Sequence, residues 1–587
     1  MTETDFHARD WQAVAERSSR LVQEFLSHQD NSMEDIRRMN EVFMDAFTRL
    51  MKDPEKLVEA QTSLWRDYMS LWQTTTRRMM GEEVEPVIEP EAGDKRFRDD
   101  SWSGDAVFDH IKQSYLLCSS WLQSLMGSVD GLDARDRRKL DFYTRLFIDG
   151  VSPTNFAATN PEVLRATAES KGENLVKGLA NLLEDLERGK GRLAIRTVDE
   201  DAFEVGGNIA VTPGKVVFRN DLMELIQYAP TTEKVRRRPL LIIPPWINKY
   251  YILDLSPRNS FVRWMVDHGH TVFVISWINP DASLGNKTFE DYMIEGPVAA
   301  LDAVGEATGE DKVNTLGYCI GGTLLACTLA HLAAKGDRRA ASATFLTTLV
   351  DFEDVGNVEI FIDDDQISSL ESAMNERGFL DGSEMAAVFS TLRANDLIWS
   401  FVINNYLLGK DPFPFDILYW NSDSTRLPAA MHSYYLRRMY LENQLIQPGA
   451  LELGGTPIDL SAIETPAYLL STQDDHIAPW TSTYRATGHF KGKTVFTLAK
   501  SGHVAGVVNP PAKKKYGYWT NSTTPADPQS WLDSAQNHEG SWWPHWQTWL
   551  ARRSGSMVEA REPGTGKLPA LADAPGPYVK VDLRQQT

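Results

Sequence analysis

Val313-Asn-Thr-Leu-Gly-Tyr-Cys-Ile-Gly-Gly-Thr-Leu-Leu-Ala-Cys-Thr-Leu-Ala-His-Leu-Ala-Ala334 carries no charged residue. By length alone it reaches the roughly 20 residues a membrane span needs. Its content argues otherwise: Asn314, Gly317, Tyr318, Gly321, Gly322, Thr323 and His331 interrupt the apolarity. A buried strand, a tight turn and a buried helix give the same uncharged run. The segment is therefore read as core, with Gly317-Tyr-Cys-Ile-Gly-Gly322 as the turn between strand and helix.

Short apolar runs lie on either side of it: Leu240–Ile243, Thr271–Ser276, Thr344–Val350, Ala467–Ser471 and Thr494–Leu498. Such runs alternating with helical segments predict a mostly parallel sheet covered on both faces, an α/β class. More than a hundred residues separate Val350 from Ala467, and they include the aromatic stretches Ile398-Trp-Ser-Phe-Val402 and Ile417-Leu-Tyr-Trp-Asn421. An insertion of that size, about 351–465, predicts a cap or lid over the site.

The turn matches the nucleophile elbow G-x-S-x-G with Cys319 in place of serine. Its glycines let the chain turn sharply, and the helix N-terminus behind it favours a thiolate. An elbow of this kind needs an acid and then a histidine further along. Asp475, in Asp474-Asp475-His476, follows the run ending at Ser471, and His503 follows the run ending at Leu498. His503 is the candidate general base, and Asp475 the acid that orients its ring and stabilises the imidazolium. Asp474 in place of Asp475, and His476 in place of His503, remain alternatives. The oxyanion hole is expected from the backbone N–H of Ile320 and of a residue near Trp246 and Ile247, with Ile247 the chosen donor. Trp246, Asn248, Tyr251 and Asp254, with Tyr250 beside them, are the candidate pocket residues. Cys118 and Cys327 lack an elbow and are expected to be structural. No metal-ligand spacing or phosphate-cradling glycine loop is visible.

The remaining 200 residues at the start read as helical. Ile36, Met39, Phe43, Phe47 and Leu50, after an Asn31-Ser32 cap, form one stripe, and Leu57, Ala60, Leu64, Tyr68 and Leu71 a second after Pro54. These predict a helical hairpin over 1–80. Eight of the 17 methionines fall there, with Trp65 and Trp72, a composition suited to docking on a partner or a hydrophobic particle as well as to ordinary packing. Residues 81–100 are acidic and punctuated by Pro and Gly, as in a linker. Residues 101–200 read as a helical N-terminal domain, and 201–587 as the catalytic domain. The formal charge of −21 on 587 residues argues against nucleic-acid partners. Three cysteines and an N-terminus without a basic, apolar leader fit a reducing cytosol.

Pro-Pro-Trp-Ile-Asn-Lys-Tyr-Tyr-Ile-Leu-Asp at 244–254, Gly-Tyr-Cys-Ile-Gly-Gly at 317–322, Asp-Asp-His-Ile-Ala-Pro-Trp at 474–480 and Ser-Gly-His-Val-Ala-Gly-Val-Val-Asn-Pro-Pro at 501–511 resemble the polyhydroxyalkanoate synthases of the long, class I single-subunit type. The resemblance runs from about residue 95 to 550 and departs from the commonest nucleophile motif only at Ile320. It implies an α/β-hydrolase fold with a cap behind a helical N-terminal domain. It also implies polymerisation of (R)-3-hydroxyacyl-CoA, short-chain 3-hydroxybutyryl-CoA foremost, with Cys319, Asp475 and His503 as catalytic triad. CoA is then part of the substrate and a product, and no separate cofactor is expected. The implied partners are the growing polyester, the granule surface with its proteins, and a second copy of the chain, in the cytoplasm at the granule. Lys249, Arg437 and Arg438 are the cations considered for the anionic CoA. The competing readings are an acyl-CoA thioesterase or esterase of the same fold, and a non-catalytic granule scaffold.

Overall fold

The computed structural model describes residues 30–582, with side chains from Met39 onward in the first helix. The helical expectation for residues before Asp30, and the placing of the Ile36 side chain, lie outside those residues. The chain divides into two compact units. One holds the residues up to Asp199 together with 389–413, and the other holds 200–388 and 414 onward.

The first unit is helical. Several of its helices start on a local signal. Asp53 accepts from the Lys56 N–H ahead of Pro54–Met79, Asp105 caps Ala106–Gly127, and Asn160 caps Pro161–Glu169 with proline at the first position. The stripe Leu57, Ala60, Leu64, Tyr68, Leu71 does face inward. What covers it, however, is helix Ala106–Gly127, while helix Asp30–Leu50 packs against Ala134–Gly150. The two helices of the expected hairpin are thus neighbours in sequence more than in packing. Periodicity marks a face without naming its partner. Ala46, Leu50, Leu125, Met126, Val129 and Leu140 form the shared core. Phe47, counted in the first stripe, is instead exposed, as are Trp65, Met69 and Trp72.

Two further boundaries differ from the sequence reading. Residues 81–100 belong to this unit and are tied to its helices: the Val87 N–H donates to Gln113 at 2.7 Å, and Arg96 pairs with Asp94 and Asp149. Residues 389–413, inside the expected cap, also belong here. Asn174 donates to the Leu407 carbonyl at 2.8 Å, the Tyr406 hydroxyl to Asp185 at 2.7 Å, and Asn181 to the Asn405 carbonyl at 3.1 Å. Gly178 allows this approach, since a Cβ there would stand 1.9 Å from the Tyr406 carbonyl oxygen.

The second unit is built on one sheet of eleven strands. In chain order these are β1 (Gly214–Arg219), β2 (Met223–Tyr228), β3 (Leu240–Ile243), β4 (Val272–Trp277), β5 (Val313–Tyr318), β6 (Ala340–Leu346), β7 (Ala467–Thr472), β8 (Thr494–Ala499), β9 (Gly517–Thr520), β10 (Gln536–Glu539) and β11 (Ala572–Asp573). In space they run β10-β9-β8-β7-β6-β5-β3-β4-β2-β1-β11. Strands β4, β3, β5, β6, β7 and β8 are mutually parallel, and the flanking pairs are antiparallel. The chain passes from β3 to β4 on one side and then crosses back to β5 on the other. A crevice at the carboxyl ends of β3 and β5 results, the usual ligand position in such sheets. Burial of all residues of β3, β4 and β5 explains why none of them carries a charge. The Pro/Gly-rich tail contributes β11 to the sheet edge beside β1, which composition alone does not disclose. The uncharged segment Val313–Ala334 is β5 followed by helix Ile320–Ala334, buried almost throughout. Among the described residues no helix is long and apolar enough to cross a membrane.

Gly178→Ala should force the 389–413 segment from its helix, at a cost of about 1–3 kcal/mol for overpacking. Thermal unfolding should show the loss, and limited proteolysis should cut within 389–413 faster than in the parent. An unchanged cleavage rate contradicts the packing described.

Candidate active site

At the carboxyl end of β5 the chain reverses within one residue. Cys319 has φ 53° and ψ −125°, and helix Ile320–Ala334 starts immediately after it. A left-handed φ on a residue with a Cβ costs on the order of 1–3 kcal/mol, and the surroundings enforce it. The Cys319 N–H donates to the Leu346 carbonyl at 2.9 Å, which fixes the turn to β6. The glycines answer to crowding: a Cβ on Gly317 would lie 2.4 Å from the Gly322 Cα, one on Gly321 2.3 Å from the Ile243 carbonyl oxygen, and one on Gly322 2.0 Å from the side-chain Oγ1 of Thr348. The turn thus seats against the end of β3 and the loop after β6, leaving the Cys319 thiol partly exposed at a helix N-terminus. Ile320, as first residue of that helix, has an N–H without a carbonyl one turn back.

The loops after β7 and β8 bring the other two chemistry-bearing side chains together. His503 Nδ1 and Asp475 Oδ2 are 2.7 Å apart, and both residues are buried. Asp475 Oδ1 accepts from the N–H groups of Ile477 and Ala478 at 2.9 Å each, and Thr472 Oγ1 donates to Oδ2 at 3.3 Å. Burial pushes this carboxyl up, but the His503 charge and these hydrogen bonds overcome it and hold it below the usual carboxylate range. For His503 burial pulls down, and the charges of Asp475 and Cys319, with hydrogen bonding to both, hold the imidazole well above its ordinary value. Asp474 is exposed and His476 half-buried, so of the two adjacent acids it is Asp475 that faces the histidine.

Sequence reasoning missed the residues that hold this pair. The Tyr318 hydroxyl donates to the His503 carbonyl at 3.1 Å, and the two rings stack. Trp542 and Trp543 donate their indole N–H groups to the carbonyls of Gly506 and Val507, each at 3.0 Å, bracing the His503 loop from below. These tryptophans are fully buried, and only their density in Ser541-Trp-Trp-Pro-His-Trp546 hinted at a scaffold role. The cap contributes Tyr435 and Tyr440, whose rings meet each other at 5.3 Å and Phe352 at 6.0 and 4.9 Å. Burial raises both phenols, and Cys319 adds to the rise, placing them in the nucleophile's electrostatic neighbourhood. No spacing rule links them to it.

The loop after β3 is taken up largely by anchoring. Trp246 is buried among Trp277, Phe289 and Tyr292. Tyr251 donates to Asp423 at 2.7 Å, and Lys249 pairs with the same carboxylate at 2.6 Å with both side chains buried. Asp254 accepts from Thr212 Oγ1 at 2.5 Å and Ser260 Oγ at 2.6 Å. Lys249, Tyr251 and Asp254 therefore lock the loop to the cap base and to the strand approach rather than line open space. Ile247 and Asn248 are only half-buried; the Ile247 carbonyl accepts from the Thr425 N–H at 3.3 Å, and Asn248 bridges to Ser424. Arg437 pairs with Glu371 at 2.7 Å and Arg438 with Glu442 at 2.8 Å, so each cation already has a carboxylate partner.

A sheet with this switch point and a strand–nucleophile–helix turn defines an enzyme of the α/β-hydrolase fold, and residues 240–510 match the family model described as alpha/beta hydrolase fold. Residues 93–265 match the model described as "Poly-beta-hydroxybutyrate polymerase (PhaC) N-terminus". The chain is 52% identical over 532 residues to a poly(3-hydroxyalkanoate) polymerase of Methylorubrum extorquens, covering 90% of this chain and 88% of that one. It is 50% identical to the poly(3-hydroxyalkanoate) polymerase subunit PhaC of Rhizobium meliloti, over 90% of this chain and 87% of that one. The figure is 44% for the corresponding subunit of Cupriavidus necator, over 92% and 90%. The chain belongs to the poly(3-hydroxyalkanoate) polymerase family, and is an acyltransferase.

Cys319→Gly relieves the left-handed strain, so it should raise stability by about 1 kcal/mol while CoA release disappears; a thermal midpoint at or below the parent's contradicts the strain. Asp475→Asn removes the foremost upward influence on His503. The limb of the pH–rate profile set by the imidazole should move to lower pH, with turnover falling roughly 10³- to 10⁴-fold. A limb that stays in place would show that Asp475 is not its source.

Proposed function

We propose that this chain polymerises (R)-3-hydroxyacyl-CoA, with 3-hydroxybutyryl-CoA as the short-chain substrate, into polyester through a covalent thioester on Cys319. The single observation that carries this reading is a thiol at a strained elbow in a polymerase-family chain, with a buried His503–Asp475 pair acting on it. The description matched by residues 93–265, which names poly-beta-hydroxybutyrate, supports the short acyl chain.

In this mechanism His503 takes the Cys319 proton and the thiolate attacks the thioester carbonyl. The N–H groups of Ile320 and Ile247 receive the oxyanion, and CoA leaves as a thiol with the proton returned by His503. One thioester has replaced another, so the acyl group stays activated. The hydroxyl of an acyl group or chain end then gives its proton to His503 and attacks the Cys319 thioester, forming the ester and restoring the thiol. Asp475 already accepts from four donors, which favours orienting the imidazole over handling the hydroxyl itself. Water in place of the hydroxyl gives free acid, and the ring cluster of Tyr435, Tyr440 and Phe352 supplies an apolar cover against it. The chemistry calls for no separate cofactor. Exposed Trp65, Met69 and Trp72 support attachment of the helical unit to the polyester granule, its proteins or a second copy, and the reading places the enzyme in the cytoplasm at that surface.

The test supplies 3-hydroxybutyryl-CoA and measures free CoA, free acid and polymer together. CoA release matched by polymer, and abolished in Cys319→Ala, is expected. Release matched by monomeric acid makes the chain a thioesterase. Absence of any release makes it a scaffold.

A further inference from the structure

A CoA thioester brings several negative charges to a chain of net charge −21, and the cations of the loop after β3, of the cap and of the loop after β7 each have a carboxylate partner. Lys249 pairs with Asp423, Arg437 with Glu371, Arg438 with Glu442, and Arg485 with Asp351 and Glu353. One group of cations differs. Lys513, Lys514 and Lys515 are exposed, and among the described residues no carboxylate lies within ion-pair distance of any of them.

Topology places this run beside the reaction. Cys319, Asp475 and His503 follow the carboxyl ends of β5, β7 and β8. From His503 the chain continues through the turn Pro511–Lys513 and enters β9 at Gly517, antiparallel to β8, with the Lys500 N–H donating to the Gly517 carbonyl at 2.8 Å. Residues 513–515 therefore stand on the same carboxyl edge of the sheet as the three chemistry-bearing residues. The other run of three cations in this unit, Arg236–Arg238, precedes β3 and so belongs to the opposite edge.

The loop is also held in shape. Lys514 and Tyr516 have φ of 47° and 66°, values side chains rarely adopt unless the surroundings impose them. Buried Asn509 donates to the Lys515 carbonyl at 3.1 Å. Lys513 Nζ donates to Asn259 Oδ1 at 3.1 Å, and Asn259 Nδ2 donates to Asp416 Oδ2 at 3.3 Å, tying the loop to the loop after β3 and to the cap base. Exposed Arg258, next to Asn259, adds a fourth cation without a carboxylate partner among the described residues.

We propose that the Lys513–Lys515 loop, with Arg258, is the anion site that receives the phosphates of the CoA moiety while its thioester reaches Cys319. The proposal rests on the reading that the substrate is a CoA thioester, and it assigns these lysines to binding rather than to the chemical step. A fixed backbone presents the ammonium groups together, and their attraction for phosphate acts before the acyl group is engaged.

The test compares the full-length protein with the triple variant Lys513→Gln/Lys514→Gln/Lys515→Gln on two substrates. These are 3-hydroxybutyryl-CoA and the N-acetylcysteamine thioester of 3-hydroxybutyrate, which lacks the phosphates. The ratio of kcat/KM for the CoA substrate over the short thioester should fall about tenfold, through KM, since exposed charge pairs each contribute modestly. The arginine triple variant should restore it. An unchanged ratio overturns the proposal, including the case where both substrates decline together because the His503 loop is disturbed. Calorimetric binding of free CoA separates this site from the polymerase reading. A parent that makes no polymer yet binds CoA about tenfold more tightly than the glutamine variant refutes that reading and keeps the anion site, whereas equal CoA affinity in the two proteins refutes the site.

Discussion

Backbone crowding around Cys319 is the constraint on which the catalytic unit depends. A nucleophile can project from the end of a buried strand only if the chain reverses at once, and here the reversal brings backbone within 2–3 Å of the space a side chain would fill at Gly317 and Gly321, and the Thr348 side chain equally close at Gly322. Three glycines are therefore required by three different neighbours: the turn itself, the end of β3, and Thr348 after β6. The cost is a left-handed cysteine, stabilised by the Leu346 carbonyl and by the buried helix that follows. Because β3, β5 and β6 meet at this point, the switch-point crevice and the helix N-terminus coincide with the thiol.

The residues around the turn form a second layer whose members come from distant parts of the chain. Tyr318 precedes the nucleophile yet holds the His503 carbonyl, and the Trp542–Trp543 pair secures the same loop from near the C-terminus. The His503–Asp475 hydrogen bond, in turn, is preorganised by two backbone N–H groups that keep the carboxylate ionised. The cap base is bolted to the loop after β3 by the buried Lys249–Asp423 pair and by Trp420, which donates to the Lys249 carbonyl at 2.7 Å. Removing one partner of such a pair leaves a buried charge uncompensated, so loop and cap base stand or fall together.

Much of this was legible in the sequence because local physics writes it there. Strand β5 and its elbow are visible from Val313 to Gly322, since continuous burial excludes charge and the reversal demands glycine. The order Cys319, Asp475, His503 follows from successive loops at one sheet edge. Less legible were packing partners: the stripe on Pro54–Met79 predicts a buried face, but any apolar helix satisfies it, and Ala106–Gly127 is the one that does. Tyr251 and Asp254 were readable as pocket residues because their neighbours in sequence are aromatic, and Lys249 as a cation for CoA; only contact with Asp423, Thr212 and Ser260 reassigns all three to anchoring.

By itself, then, the sequence determined the α/β alternation, the elbow and the family, all of which depend on interactions between residues a few positions apart or on motifs carried intact. Tertiary structure alone decided that Asp475 rather than Asp474 meets His503, that residues 389–413 leave the cap for the helical unit, and which cations stay unpaired at the carboxyl edge. Each of those outcomes is set by contacts across tens to hundreds of residues, where the energy lies in geometry that no local pattern encodes.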